Sequence, residues 1–216
     1  MKIGYWLAGV MVFSQCFNAT ADFVGLQKAE FESHYAVQQT PLWCWAASTQ
    51  MILSYQGVKV PQDKIVTRVT GTLGAGAGSV PDMIKAANGL FSVDGKQIVV
   101  SGQYVNGAPL ATVLFNQLSH KRPVILNYLA PAGGVGHAVV VTAIDASVVS
   151  GEVMISSVYV FDPFPYHMVP NPWGGFNYVY DENLKTKTYN LSSSGGYVYI
   201  NPGVITGVIL IDGIAL

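Results

Sequence analysis

The stretch QQTPLWCWAAS, residues 38–48, sets a cysteine between two tryptophans and six positions after a glutamine. Its continuation, CWAASTQMILSYQG over residues 44–57, reads as a helix. Good helix formers come early, Ala47, Met51 and Tyr55 share one stripe, and Gly57 is placed as a stop. Pro41 discourages an earlier start, because a residue before proline is pushed out of the helical region. Cys44 therefore falls in the first turn. Unpaired backbone N–H groups and the helix dipole favour an anion there, so the sequence predicts a thiol that ionises more readily than free cysteine.

Around this segment the chain has 216 residues, of which 50% are hydrophobic and 11% charged, enough for one compact domain with a substantial core. A formal net charge of -1, with no Lys/Arg stripe, excludes the electrostatic footprint of a nucleic-acid or anionic-membrane binder. No C-x-x-C or H-E-x-x-H spacing occurs, and neither a metal nor another cofactor is expected.

Residues 1–21 read as a secretory signal: Lys2 is the positive end, Tyr5 to Phe13 the apolar run, and Ala19-Thr20-Ala21 the small-residue site before Asp22. The run is too short to span a bilayer of about 30 Å. Gln15 disfavours a lipid anchor on Cys16. The expectation is a mature domain over residues 22–216, secreted or periplasmic and free of the membrane, with Cys44 as its single thiol. A lone cysteine in an oxidising compartment is a liability, which favours a chemical role. Free cysteines are also commonly buried and inert, and position alone leaves the two readings even.

A reactive thiol needs a base. His137 follows the glycine-rich turn of residues 133–136 and opens AVVVTAI, residues 138–144, a continuous run of β-formers that should be a buried central strand. His120 lies in a polar turn, His34 in a charged segment and His167 in a Pro- and aromatic-rich loop. Residues 145–151 have turn composition, and Val153 to Phe161 should form the returning strand. An antiparallel hairpin centred near residue 149 would bring Asp162 opposite His137, where a carboxylate fixes the imidazole's tautomer and stabilises its cation.

Taken together, Q-x5-C-W-A-A, G-H-A-V-V-V-T and V-F-D-P resemble the papain-like cysteine peptidases of bacteria. The similarity is closest to the compact branch that includes staphopains, plant-pathogen effector proteases and bacteriocin-leader peptidases. It covers about Gln38 to Pro163. The resemblance implies an α+β fold, with a helical subdomain packed against an antiparallel β-sheet subdomain and the active site in the cleft between them. It implies Cys44 as nucleophile, His137 as general base and acid, Asp162 as the orienting residue, and Gln38 as the side-chain donor to an oxyanion hole completed by the Cys44 backbone N–H. Leu42-Trp43 stands where plant and lysosomal papains carry Gly-Ser, and the spacing from Cys44 to His137 is shorter than theirs. Asn171-Pro-Trp-Gly174 resembles the motif by which papains supply an asparagine to the histidine, so two residues compete for one role; Asp162 is favoured because it ends the partner strand. Gln39 is a less well spaced substitute for Gln38.

Helices are expected over Pro61 to Val69, Val80 to Gly89 and Leu110 to Leu118, the second opened by a Ser79/Asp82 capping box. The glycine-rich residues 71–78 lack the Gly-Lys-Ser/Thr ending of a phosphate loop and should be a flexible connector bordering the cleft. Strands are expected at Val124 to Tyr128, Gly196 to Asn201 and Val204 to Asp212. The aromatic segment from Pro163 to Tyr180 is either packing or a wall of the substrate groove. The reading is a secreted thiol endopeptidase acting on peptide or protein substrates. Acyl transfer, deamidation or an inactive binding domain are the alternatives. The segment between Asp22 and Gln38 is too short for a folded pro-segment, so restraint is expected from narrow specificity, thiol oxidation or a separate inhibitor protein.

Overall fold

The computed structural model describes residues 20–74, 76–107, 111–130, 134, 136–194, 197–201 and 203–215. The signal expected over residues 1–21 lies outside them, apart from its last two positions, as do Gly133 and Val135 of the turn before His137. In chain order the first elements are β1 (Asp22–Gly25), α1 (Lys28–Phe31), α2 (Cys44–Tyr55), α3 (Gln62–Thr70), α4 (Val80–Ala87), β2 (Gly89–Val93), β3 (Lys96–Asn106) and α5 (Ala111–Ser119). Then follow β4 (Val124–Leu129), β5 (His137–Val149), β6 (Glu152–Phe161), β7 (Tyr166–Pro170), β8 (Phe176–Tyr180), β9 (Thr186–Ser194), β10 (Tyr197–Ile200) and β11 (Gly203–Ala215). The fold is mixed, strand-rich and short on helix.

The antiparallel pairings β4–β5, β5–β6, β6–β9, β9–β10, β10–β11 and β11–β4 form a closed ring. Closure removes the unpaired edges that an open sheet would expose. Beyond the ring, β1 pairs with β5, and the β2–β3 hairpin extends from β11. Period-two alternation sorts the strand side chains into two cores. Val124, Leu126, Val139, Val141, Val158, Val160, Tyr189, Ile200, Ile205 and Val208 come from all six ring strands and meet inside, with Leu114 and Leu118 of α5. Ile125, Ala138, Val140, Phe161, Ile209 and Ile211 point outwards, against α2, α3 and α4. This is why residues 138–144 are apolar without a break: β5 is buried on both faces. Each fully buried Val or Ile there contributes about 1.5–3 kcal/mol.

The helix at Cys44 forms as its sequence predicts, ending at Tyr55 with Gly57 at φ 86°. Burial is wider than one stripe, since Cys44 to Thr49 and Met51 to Leu53 are all buried. Ser79 and Asp82 make the expected capping box on α4.

Two expectations need correction. Residues 145–149 continue β5 instead of turning, because the Asp145 carboxylate accepts from the hydroxyls of Ser157 and Tyr159 on β6 and is satisfied within the strand. The reversal is the two-residue turn Ser150-Gly151, with φ 53° and 86°, the signs that match the twist of the flanking strands. Finally, the aromatic segment is no irregular loop: β7 and β8 pair as a separate two-stranded hairpin, Tyr166 opposite Tyr180 and Pro170 opposite Phe176.

Candidate active site

Cys44 is the first residue of α2, so its backbone N–H belongs to the turn whose donors have no intrahelical partner. The two tryptophans hold the approach to the thiol. Trp43 donates Nε1–H to the carbonyl of Gly74 at 3.1 Å, and the ring of Trp45 lies so close to Gly78 that a Cβ there would come within 2.4 Å of it. The glycine-rich connector is thus fastened beside Cys44, and at Gly78 only glycine leaves room for the indole.

His137 opens β5, opposite Tyr128 of β4, whose ring meets the imidazole edge-on at 5.5 Å between centroids. One turn beyond Cys44, the buried Ser48 hydroxyl donates to the carbonyl of Ala138 at 3.0 Å. This bond ties the helix bearing the thiol to the residue next to the imidazole. His137 Nε2–H donates to Asp162 Oδ1 at 2.8 Å, which leaves Nδ1 as the second ring nitrogen, and Cys44 lines the same depression as the imidazole.

Asp162 reaches His137 from just past the end of β6. Its own N–H donates to the carbonyl of Lys185, Phe164 N–H donates to Oδ1 at 2.8 Å, and Lys187 Nζ donates to Oδ2 at 2.6 Å. With the carboxylate only 2% exposed, these bonds satisfy a charge that would otherwise be costly to bury. Burial alone would raise the Asp162 pKa, but the bond to His137 and its charge, then Lys187, hold the carboxyl below its ordinary value. For His137, burial opposes the cation; the bonds to Asp162 and Cys44 and their charges outweigh it and lift the imidazole to about 9.

Gln38 is buried, held by its backbone N–H on the carbonyl of Pro163 and by Nε2–H on the carbonyl of Thr40 at 2.8 Å. One amide hydrogen remains free for another acceptor. Gln38, Cys44, His137 and Asp162 line one depression of about 320 Å³, together with Phe164, Tyr166, Met168 and Tyr178 from the hairpin region. A second hollow of about 180 Å³ also touches Cys44 and His137 and is walled by Trp45, Gly78, Val80 and Met83.

The competing asparagine is elsewhere. Asn171 closes the tip of the β7–β8 hairpin, where its Oδ1 accepts from Trp173 N–H at 3.0 Å and its Nδ2 donates to Asn177 at 3.3 Å. Gln39 donates its backbone N–H to Gln62 Oε1. His34 sits against Ser54, His120 is exposed on its own turn, and His167 pairs with Asp181 at 2.6 Å. The sequence reading gives Lys187, Ser48 and Tyr128 no part in the site. Lys187 and Ser48 meet partners 25 and 90 residues away, which no local pattern announces, and Tyr128 meets His137 through the β4–β5 pairing. Among the described residues no group of three His, Cys, Asp or Glu side chains could hold a metal ion.

An imidazole with a carboxylate on one nitrogen and a thiol lining the same depression can accept the thiol proton and return it to a leaving group. The sequence comparison agrees with that chemistry. Residues 31–188 match the Peptidase_C39 like family. The chain belongs to this family. It is thereby a member of a cysteine peptidase family, and the matched span contains every residue just described around Asp162. No curated protein matches the chain.

Proposed function

We propose that the protein is an exported papain-like cysteine endopeptidase, with the site in a cleft between the α2–α4 helices and the strand ring. Cys44 attacks the scissile carbonyl and forms a thioester acyl-enzyme. His137 takes the thiol proton and delivers it to the departing amine, then activates the water that hydrolyses the thioester. Asp162 keeps the imidazole in the tautomer and orientation that face the sulfur. Gln38 Nε2–H and the Cys44 backbone N–H donate to the oxyanion.

The observation that carries this reading is the bond from His137 Nε2–H to Asp162 Oδ1 at 2.8 Å, in a depression that Cys44 and Gln38 also line. Membership of a cysteine peptidase family supports it from an independent side. Export rests on the residue pattern of 1–21. The test is incubation of residues 22–216, reduced, with a diverse peptide library, with and without a thiol alkylator. Alkylator-sensitive cleavage at internal bonds is expected. A protein that folds, is alkylated at Cys44 and cleaves no peptide contradicts the proposal.

A further inference from the structure

Asp162 is the most constrained residue of the site, and one of its constraints has no counterpart among the residues that the Cys–His–Asp reading uses. Its Oδ1 already serves His137 Nε2 and Phe164 N–H, both at 2.8 Å. Its Oδ2 is taken by Lys187 Nζ at 2.6 Å, from a lysine whose side chain is 27% exposed. Lys187 stands on β9 directly opposite Val160 of β6, so the same strand pairing that ends at Phe161 delivers both charges. Beside it, the carbonyl of Lys185 accepts from Asp162 N–H at 2.8 Å. The β9 segment therefore holds Asp162 by backbone and side chain at once.

We propose that Lys187 is a positioning residue for the reaction, a fourth member of the chain Cys44–His137–Asp162, which fixes the rotation of the carboxylate so that Oδ1 faces the imidazole. This rests on the peptidase reading of the site. A carboxylate can swing about its Cβ–Cγ bond, and an ammonium on the oxygen remote from histidine removes that freedom.

The charge matters as well as the tether. The other ionisable groups facing the pair are Cys44 from α2, Tyr35 from the segment before it, Tyr128 from β4 and Tyr189 from β9. Burial is the main cause that raises all three phenols, with the charge of Asp162 adding to it, so they stay neutral in the working range. Among these groups Lys187 alone offsets the carboxylate with a cation other than the imidazolium itself. Its ammonium shares the negative charge that otherwise acts wholly on His137. Removing it leaves the imidazolium facing an uncompensated carboxylate, which should then hold its proton to higher pH.

Two measurements test this. In Cys44→Ala protein, which needs no turnover, the His137 titration is followed by NMR with Lys187 intact, as Lys187→Met and as Lys187→Arg. The midpoint should rise by about half a unit or more in Lys187→Met and return towards the parent in Lys187→Arg, whose guanidinium can still reach the carboxylate. In the active protein, kcat/KM should fall about tenfold or more for Lys187→Met, mostly in kcat, with partial rescue by arginine. A lysine that only stabilises the fold would lower the melting temperature without moving the titration, and that result overturns the inference. Lys187→Gln repeats both readings should the methionine variant fail to fold. If no peptide is cleaved by any form, the peptidase reading fails, while the NMR midpoints still decide whether Lys187 governs the pair.

Discussion

An imidazole held charged to about pH 9 alters the pH dependence that such a site should show. An ordinary histidine loses its proton near 6.5, and a peptidase relying on it as the acid for the leaving amine would fade through neutrality. Here burial works against the cation and is overcome by the bonds to Asp162 and Cys44. The alkaline limb of kcat/KM is therefore expected near pH 9; a limb near 6.5 would show that the imidazolium is not held by its neighbours. The same residues decide between the two orienting candidates. Asp162→Ala should lower kcat by about 10²- to 10⁴-fold, because the imidazole loses both its orientation and the partner of its cation. Asp162→Asn keeps a hydrogen-bond acceptor on that side and should retain part of the activity. Asn171→Ala breaks only the hairpin tip, where Asn171 bonds Trp173 and Asn177, and should leave kcat within about threefold. Parallel kinetics of the three variants separate these outcomes.

At the scale of elements, one side-chain bond ties α2 to the strand that bears His137. Ser48→Ala leaves the buried Ala138 carbonyl without its donor and should cost about 1–3 kcal/mol, read as a shift of the denaturation midpoint. Because the bond also sets helix against strand beside His137, kcat should fall with it. The β7–β8 hairpin offers a different test. Tyr166, Met168 and Tyr178 lie on one of its faces and border the depression at Cys44, so Tyr178→Ala is expected to raise KM several-fold with kcat little changed; equal KM values would return this face to plain packing. What could be read beforehand follows the same division. The α2 segment was legible because Gly57 and the run of helix formers act locally, and β5 because burial on both faces leaves an unbroken apolar run. Its end was not, since Asp145 reads as a turn residue until Ser157 and Tyr159 are brought beside it. The hairpin stayed hidden because β8 is exposed throughout and so shows no inside-to-outside alternation. Asp94-Gly95, the turn between β2 and β3 with φ 50° and 77°, carries a readable Asp-Gly hairpin signal. Gln38, Cys44, His137 and Asp162 could be named because each adjoins a recognisable run. Lys187 could not, since β9 meets β6 only across the intervening hairpin.

For the molecule as a whole, the candidate site lies where the two cores meet: Cys44 belongs to the helical side and Tyr128 to the ring interior, with His137 between them. Charges held at such a junction should make folding itself depend on pH. His137 has a folded pKa of about 9, above its ordinary 6.5, so the unfolded chain releases this proton first as pH rises. The stabilisation it supplies is complete below 6.5 and is lost as pH climbs through about 9. Asp162 behaves oppositely: its folded pKa lies below the ordinary 3.8, so its contribution is present above 3.8 and is lost on acidification through the folded value. Both contributions are complete only between about 3.8 and 6.5. His34 acts within this window. Its pKa is lowered by burial, then by Lys59, so its contribution is present above 6.5 and falls away below it. Melting temperatures measured in reducing buffer from pH 6 to pH 10 should therefore decline between about 6.5 and 9 and level off above, with kcat/KM falling only near 9 where that decline ends, because one imidazole proton sets both. His137→Gln removes the titrating group and should flatten the alkaline decline while lowering stability near pH 6. If the decline is as steep in His137→Gln as in the parent, some other group carries the alkaline loss, and the raised imidazole is not what couples the site to the fold.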